Sequence, residues 1–112
     1  DFAMRAVQFD LGKATLKNES FSILDKIGKV MRKYDAYNLA IGGHTDNTGS
    51  PAFNLNLSEK RAKVCYEYLI SRGIDPSRLS YTGYGATKPI SENRTENGRY
   101  LNRRTEFNLV PR

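Results

Sequence analysis

Residues 37–43, YNLAIGG, and the run that follows them, 44–61, HTDNTGSPAFNLNLSEKR, decide how this chain folds. Tyr37, Leu39 and Ile41 alternate with Asn38 and Ala40, the two-residue period of a strand with one buried face, and Gly42 and Gly43 end it. A polar turn with Gly49, Ser50 and Pro51 comes next, then a helix. The helix is predicted to begin at Ser58, whose hydroxyl can cap the first free amides, and to stop near Gly73, a good left-handed terminator. Its inward stripe holds Ala62, Cys65, Tyr68 and Leu69.

Upstream of this strand and helix, AMRAVQFDL (3–11) alternates Val7 and Phe9 with polar neighbours and reads as a strand. From Ser20, residues Phe21, Leu24, Ile27, Met31 and Tyr34 recur every three or four positions, with Lys26, Lys29 and Lys33 on the opposite helical face. Downstream, Pro76 marks a turn and Leu79 and Tyr81 a third strand. A polar loop is expected from Gly85 to Gly98. The run RRTEFNLV (103–110) closes the domain as a strand, with Arg103, Thr105, Phe107 and Leu109 on one side and Arg104, Glu106 and Asn108 on the other. The expected fold is α+β, a two-layer sandwich in βαβαββ order. A four-stranded mixed sheet carries two main helices on one face, the helical crossovers favouring parallel neighbours.

At 112 residues, 38% hydrophobic and 27% charged, the chain matches one globular domain spanning residues 1–112. No apolar run approaches the roughly 18 to 20 residues that cross a bilayer. A chain that starts at Asp1 is expected to be processed or cut from something longer, so any membrane contact would come through segments outside it. One cysteine, Cys65, allows no internal disulfide and is expected to be a small core residue. With one histidine besides, no metal site and no cofactor are expected. The net charge of +6 favours an anionic partner, whether nucleic acid, headgroups or another polymer.

Within 42–61, Asp46 falls just past a strand, in the crevice where open sheets with helical crossovers place ligands. Arg61 is expected in the first turn of the second helix, its guanidinium emerging at the helix end that faces Asp46. Arg103 joins them from the helix-facing side of the last strand, and Asn54 can reach back to the loop backbone. A carboxylate that pairs with an ammonium and a guanidinium that grips a carboxylate together complement an amino-acid centre. Spacing leaves equally open that Asp46 and Arg61 pair with each other to tie loop to helix. His44 with Asp46 suggests a triad fragment, but no serine sits in a G-x-S-x-G elbow, and His44 reads as an inert residue bonded within the turn. The basic residues form no stripe and no phosphate-binding loop of the G-x-x-x-x-G-K-[ST] type occurs, so nucleic acid ranks below a small zwitterionic ligand.

Four segments, FDLGKATL (9–16), GHTDNTGSPAFNLNLSEKRAKVCYEYLISRGID (43–75), RLSYTGYGATKPI (78–90) and ENGRYLNRRTEF (96–107), resemble the C-terminal domain of the OmpA-like family over essentially the whole chain. That family includes peptidoglycan-associated lipoproteins and flagellar-motor stator proteins. The resemblance implies a non-enzymatic domain in the periplasm, tethering an outer-membrane protein or lipoprotein to the cell wall. It would bind peptidoglycan noncovalently through the diaminopimelate of the stem peptide. The H-T-D aspartate, Asp46, would take the ammonium and the L-S-x-x-R-A arginine, Arg61, the carboxylate. Thr48, Asn54 and Arg103 of N-R-R would support them, while Arg104 points the other way. Gly12 departs from the polar residue many members carry in the first loop, so no contact is carried over there. Homodimerisation is left open, and the alternative function is a basic module for nucleic acid or another anionic polymer.

Overall fold

The computed structural model describes residues 6–112, so residues 3–5 of the first expected strand lie outside the described residues. Strand β1 is Val7–Gln8, followed by helix α1, Asn18–Lys33, and strand β2, Tyr37–Gly43. Helix α2 runs Pro51–Ser71, a 3-10 turn covers Pro76–Arg78, and β3 is Leu79–Gly83. A short helix α3, Glu96–Asn102, leads into β4, Arg104–Pro111.

The four strands form one mixed sheet in the order β1-β4-β2-β3. The crossover through α2 makes β2 and β3 parallel neighbours, Leu39 beside Leu79 and Ile41 beside Tyr81. The crossover through α1 does not, because β4 inserts antiparallel between β1 and β2, pairing Ile41 with Phe107 and Val7 with Thr105. Alternation decides what that central strand buries. Thr105 and Phe107 join Leu39 and Ile41 beneath Leu24, Ile27 and Met31 of α1 and Ala62, Cys65 and Leu69 of α2. Ser80 and Asn108 face water on the uncovered side.

Helix α2 starts seven residues before the predicted Ser58. Ser50 is its cap, accepting from the Phe53 amide at 3.1 Å, and Pro51 fills the first position, where its missing N–H costs nothing. Ser58 instead lies inside the helix, donating to the Leu55 carbonyl at 2.7 Å and accepting from the Gly85 amide at 2.8 Å. Two glycines permit this close approach. A Cβ at Gly43 would run into the Ser58 carbonyl, and one at Gly83 would lie 2.6 Å from the Glu59 nitrogen.

The loop expected from Gly85 to Gly98 also differs, since its last part is the first turn of α3, capped by Thr95, which accepts from the Gly98 amide at 3.0 Å. At the far end of the molecule Arg78 closes α1. Its guanidinium donates to the carbonyls of Met31 at 2.6 Å and Tyr34 at 2.9 Å at the helix terminus, and to that of Tyr37 at 2.6 Å at the start of β2.

Candidate functional site

The chain leaves β2 through Thr45 and Asp46 and turns back at Gly49, whose φ of +93° suits glycine. That turn folds the Asp46 carboxylate inward, where it is 2% exposed. Its Oδ1 accepts from the Thr48 amide at 2.8 Å and its Oδ2 from Arg103 Nη1 at 3.0 Å. Burial alone would raise the carboxyl pKa. The Thr48 amide and the Arg103 guanidinium outweigh it and hold Asp46 below the usual aspartate value, so it is ionised at neutral pH.

Arg61 is in the middle of α2, not in its first turn, and its guanidinium does not emerge at the helix end. It is 0% exposed. Nε donates to the carbonyl of Lys13 at 2.8 Å, Nη1 to the carbonyl of His44 at 2.9 Å and Nη2 to the carbonyl of Asp10 at 3.0 Å, with the Phe9 ring 5.1 Å from the guanidinium carbon. Arg61 therefore pins the segment after β1 to the turn after β2. Burial lowers its pKa to about 10, opposed by Asp46 and reinforced by Arg103, and leaves it charged at neutral pH. The direct Asp46–Arg61 pair that spacing left open is not formed; Asp46 pairs with Arg103.

Arg103 follows α3 and is 3% exposed. Each of its nitrogens has a different acceptor, with Nε on the Phe9 carbonyl at 2.9 Å, Nη1 on Asp46, and Nη2 on Glu96 at 2.6 Å. Glu96 is absent from the predicted set. It came from a stretch read as loop, and only the Thr95–Glu96 pair, a cap followed by an acidic first-turn residue, could have signalled it. Asn54 sits in the first turn of α2, its backbone amide bonded to the Ser50 carbonyl at 2.9 Å, and its buried side chain lines the cavity.

The five predicted residues, Asp46, Thr48, Asn54, Arg61 and Arg103, all line one cavity of about 150 Å³. Leu11, Gly12, Thr45, Gly49, Phe53 and Leu57 complete the wall. Leu11 and Phe53 are more than half exposed and form an apolar rim around the charged floor. Arg104 is buried elsewhere, donating to Glu106 at 2.7 Å and to the Lys88 carbonyl at 2.9 Å. His44 is buried against Tyr84, ring centroids 5.3 Å apart, and makes no side-chain bond within its turn. Its pKa falls to about 4, chiefly through burial and then through Arg104, with Glu106 opposing. Cys65 is buried with its thiol pushed up to about 12, which leaves it unreactive.

The chain belongs to the OmpA family, whose sequence model matches residues 8–103. It is 42% identical over 102 residues to outer membrane protein A of Bordetella avium, covering 91% of this chain and 53% of that protein. It is 35% identical over 101 residues to the peptidoglycan-binding protein ArfA of Mycobacterium tuberculosis, covering 90% of this chain and 31% of that one. The chain thus spans about half or less of these relatives. In structure it matches the peptidoglycan-associated lipoprotein of Burkholderia pseudomallei with a TM-score of 0.91 at 24% identity, over 95% of this chain and 90% of that one. The C-terminal domain of Helicobacter pylori MotB matches with a TM-score of 0.90 at 24% identity, over 98% and 87%. At that identity the likeness speaks for the fold.

Proposed function

We propose that the Asp46 cavity binds the diaminopimelate centre of a peptidoglycan stem peptide, within the peptidoglycan association that family membership supports. The domain would thereby hold an outer-membrane protein or lipoprotein to the wall from the periplasm. Asp46 takes the ligand's ammonium, Arg61 its carboxylate, and Thr48, Asn54 and Arg103 support the two. The binding is noncovalent and involves no catalytic step.

One observation carries this reading. The cavity gathers an ionised carboxylate and a charged guanidinium that are not spent on each other. Each Asp46 oxygen receives one hydrogen bond and each can accept about two, so each can take an ammonium proton. Of the five N–H groups of Arg61, three reach carbonyls, which leaves one on each Nη for a carboxylate. Because Arg61 has no surface open to water, the ligand carboxylate must come through the cavity, past the apolar rim of Leu11 and Phe53. Affinity for one site is therefore modest, and many copies on one wall supply avidity.

Calorimetric titration with a diaminopimelate stem peptide beside its lysine counterpart tests specificity. Lysine lacks the second carboxylate and leaves the Arg61 donors unpaired, so it should bind at least about tenfold more weakly. Equal affinities would remove the proposed basis. Asp46→Asn is the cleaner probe of the ammonium contact, expected to weaken the diaminopimelate peptide by roughly tenfold or more. Arg61→Ala would also leave three carbonyls unpaired and so confuses binding with folding.

A further inference from the structure

The proposed Asp46–ammonium contact depends on how Arg103 is shared. A guanidinium beside a carboxylate usually makes two parallel hydrogen bonds to it, occupying both oxygens and neutralising the charge. Arg103 does not do so here. Only Nη1 reaches Asp46, at 3.0 Å, while Nη2 is drawn 2.6 Å from Glu96 Oε2 and Nε is held by the Phe9 carbonyl. The Tyr100 ring, 5.6 Å from the guanidinium carbon, borders the same group.

Glu96 itself is fixed from two sides. It opens α3 just after the Thr95 cap, where a carboxylate suits the positive end of a helix, and its other oxygen accepts from Arg99 Nε at 3.3 Å. Its side chain is 67% exposed, whereas Arg103 and Asp46 are nearly buried. It is therefore a surface carboxylate with one oxygen set into the back of a buried arginine.

We propose that Glu96 is a positioning residue for ligand recognition: by holding Nη2 of Arg103 it limits that guanidinium to one bond with Asp46, leaving the aspartate's other lone pairs and its negative charge for a cationic ligand group. The inference rests on the reading of the Asp46 cavity given above. In charge terms, Asp46, Arg103 and Glu96 together carry one net negative charge. Without Glu96 the group is neutral and Arg103 is free to turn both Nη groups onto Asp46.

The role differs from stabilising α3. A carboxylate that served only the helix could be lost without altering Asp46. Glu96→Gln removes the charge and keeps the size, and the exposed position makes the substitution compatible with folding. With the diaminopimelate stem peptide, Glu96→Gln is expected to weaken binding by roughly tenfold, the size of one charge-assisted hydrogen bond. In an Asp46→Asn background the same change should have little further effect. Equal losses in both backgrounds, or none in the first, would overturn the proposal.

A second measurement needs no ligand. The Asp46 carboxyl is titrated by carbon NMR in the wild-type protein and in Glu96→Gln. Loss of a neighbouring negative charge and a fuller Arg103 contact both favour ionised Asp46, so its pKa should fall. An unchanged Asp46 titration would overturn the proposal whatever the peptide does. If the wild-type protein fails to bind the peptide while the titration shifts as expected, the ligand reading fails and the positioning of Arg103 by Glu96 stands.

Discussion

His44 stacks on Tyr84 and faces Glu106 at 3.6 Å, with the charges of Arg104 and Lys88 nearby, and its Nδ1 has no partner among the described residues. A proton on this ring would have to enter a buried, mostly cationic setting, which is why its pKa drops from 6.5 to about 4. Between about pH 6.5 and 4 the unfolded chain takes that proton and the folded one does not. His44 therefore costs nothing above about pH 6.5; stability falls as pH drops through 6.5 and levels off near 4. The loss is on the order of 2 kcal/mol after allowing for partial solvent screening. Denaturant titrations at intervals from pH 7.5 to 4, run beside His44→Phe, check it. The variant should flatten that window, and a parallel fall in both proteins would assign the pH dependence to other groups. The same burial removes His44 as a general base, so the adjacency of His44 and Asp46 in sequence has no catalytic meaning.

Helix α2 reaches its place through contacts with little room for change. Ser58 bridges the Leu55 carbonyl and the Gly85 amide, the latter a link between helix and the segment after β3. Ser58→Ala leaves the buried Gly85 amide unpaired and should cost about 1–3 kcal/mol. Ser50→Ala, which removes only the exposed cap, should cost about 1 kcal/mol. Thermal melts of the two variants decide between them. If Ser50→Ala proves the more damaging, the bridge through Ser58 is not made. The two serines play other roles than the sequence suggests, Ser50 as the cap and Ser58 as the bridge, and the reason is physical. Phe53 and Leu55, both exposed in the first turns of α2, break the apolar stripe that would have announced a helix from Pro51. Ser58 then looked like a cap because the clean stripe, Ala62, Cys65 and Leu69, starts just after it. By contrast β4 was legible from Arg104 onward, since Thr105 and Phe107 alternate with polar residues, while Arg103, read as part of that strand, is the cap that ends α3 and takes other partners than Arg104. The insertion of β4 between β1 and β2 was not legible, because register and strand order depend on pairings distant in sequence. Asp46 could be placed because it lies at a fixed offset from β2, whereas the place of Arg61 shifts with the start of α2. Their partners could not, since Arg103, Glu96 and the carbonyls of Asp10 and Lys13 come from segments far apart in the chain.

The protein's net charge of +6 and the charged cavity make opposite demands on any partner. At the C-terminal end of α2, away from Asp46, lies a wider groove of about 450 Å³ lined by Lys29, Arg32 and Arg72 with Asp25. Arg72 leans on Asp25 at 3.4 Å and Arg32 donates to the Arg72 carbonyl at 3.1 Å, so the basic groups are held side by side in water. A polyanion would be drawn to such a surface. Its affinity would come from released counterions, falling about a thousandfold or more between roughly 50 and 200 mM salt for six or more phosphate contacts. A zwitterion bound in the Asp46 cavity brings one charge of each sign into a buried site, where screening is weak. Retention on purified diaminopimelate-type peptidoglycan should thus change by less than about threefold over the same salt range. It should survive Lys29→Glu with Arg32→Glu, which reverses the groove, and fall by roughly tenfold or more in Asp46→Asn. A steep salt dependence abolished by the groove variant, with Asp46→Asn unaffected, would transfer the binding from the cavity to the basic surface and favour a general anionic-polymer module.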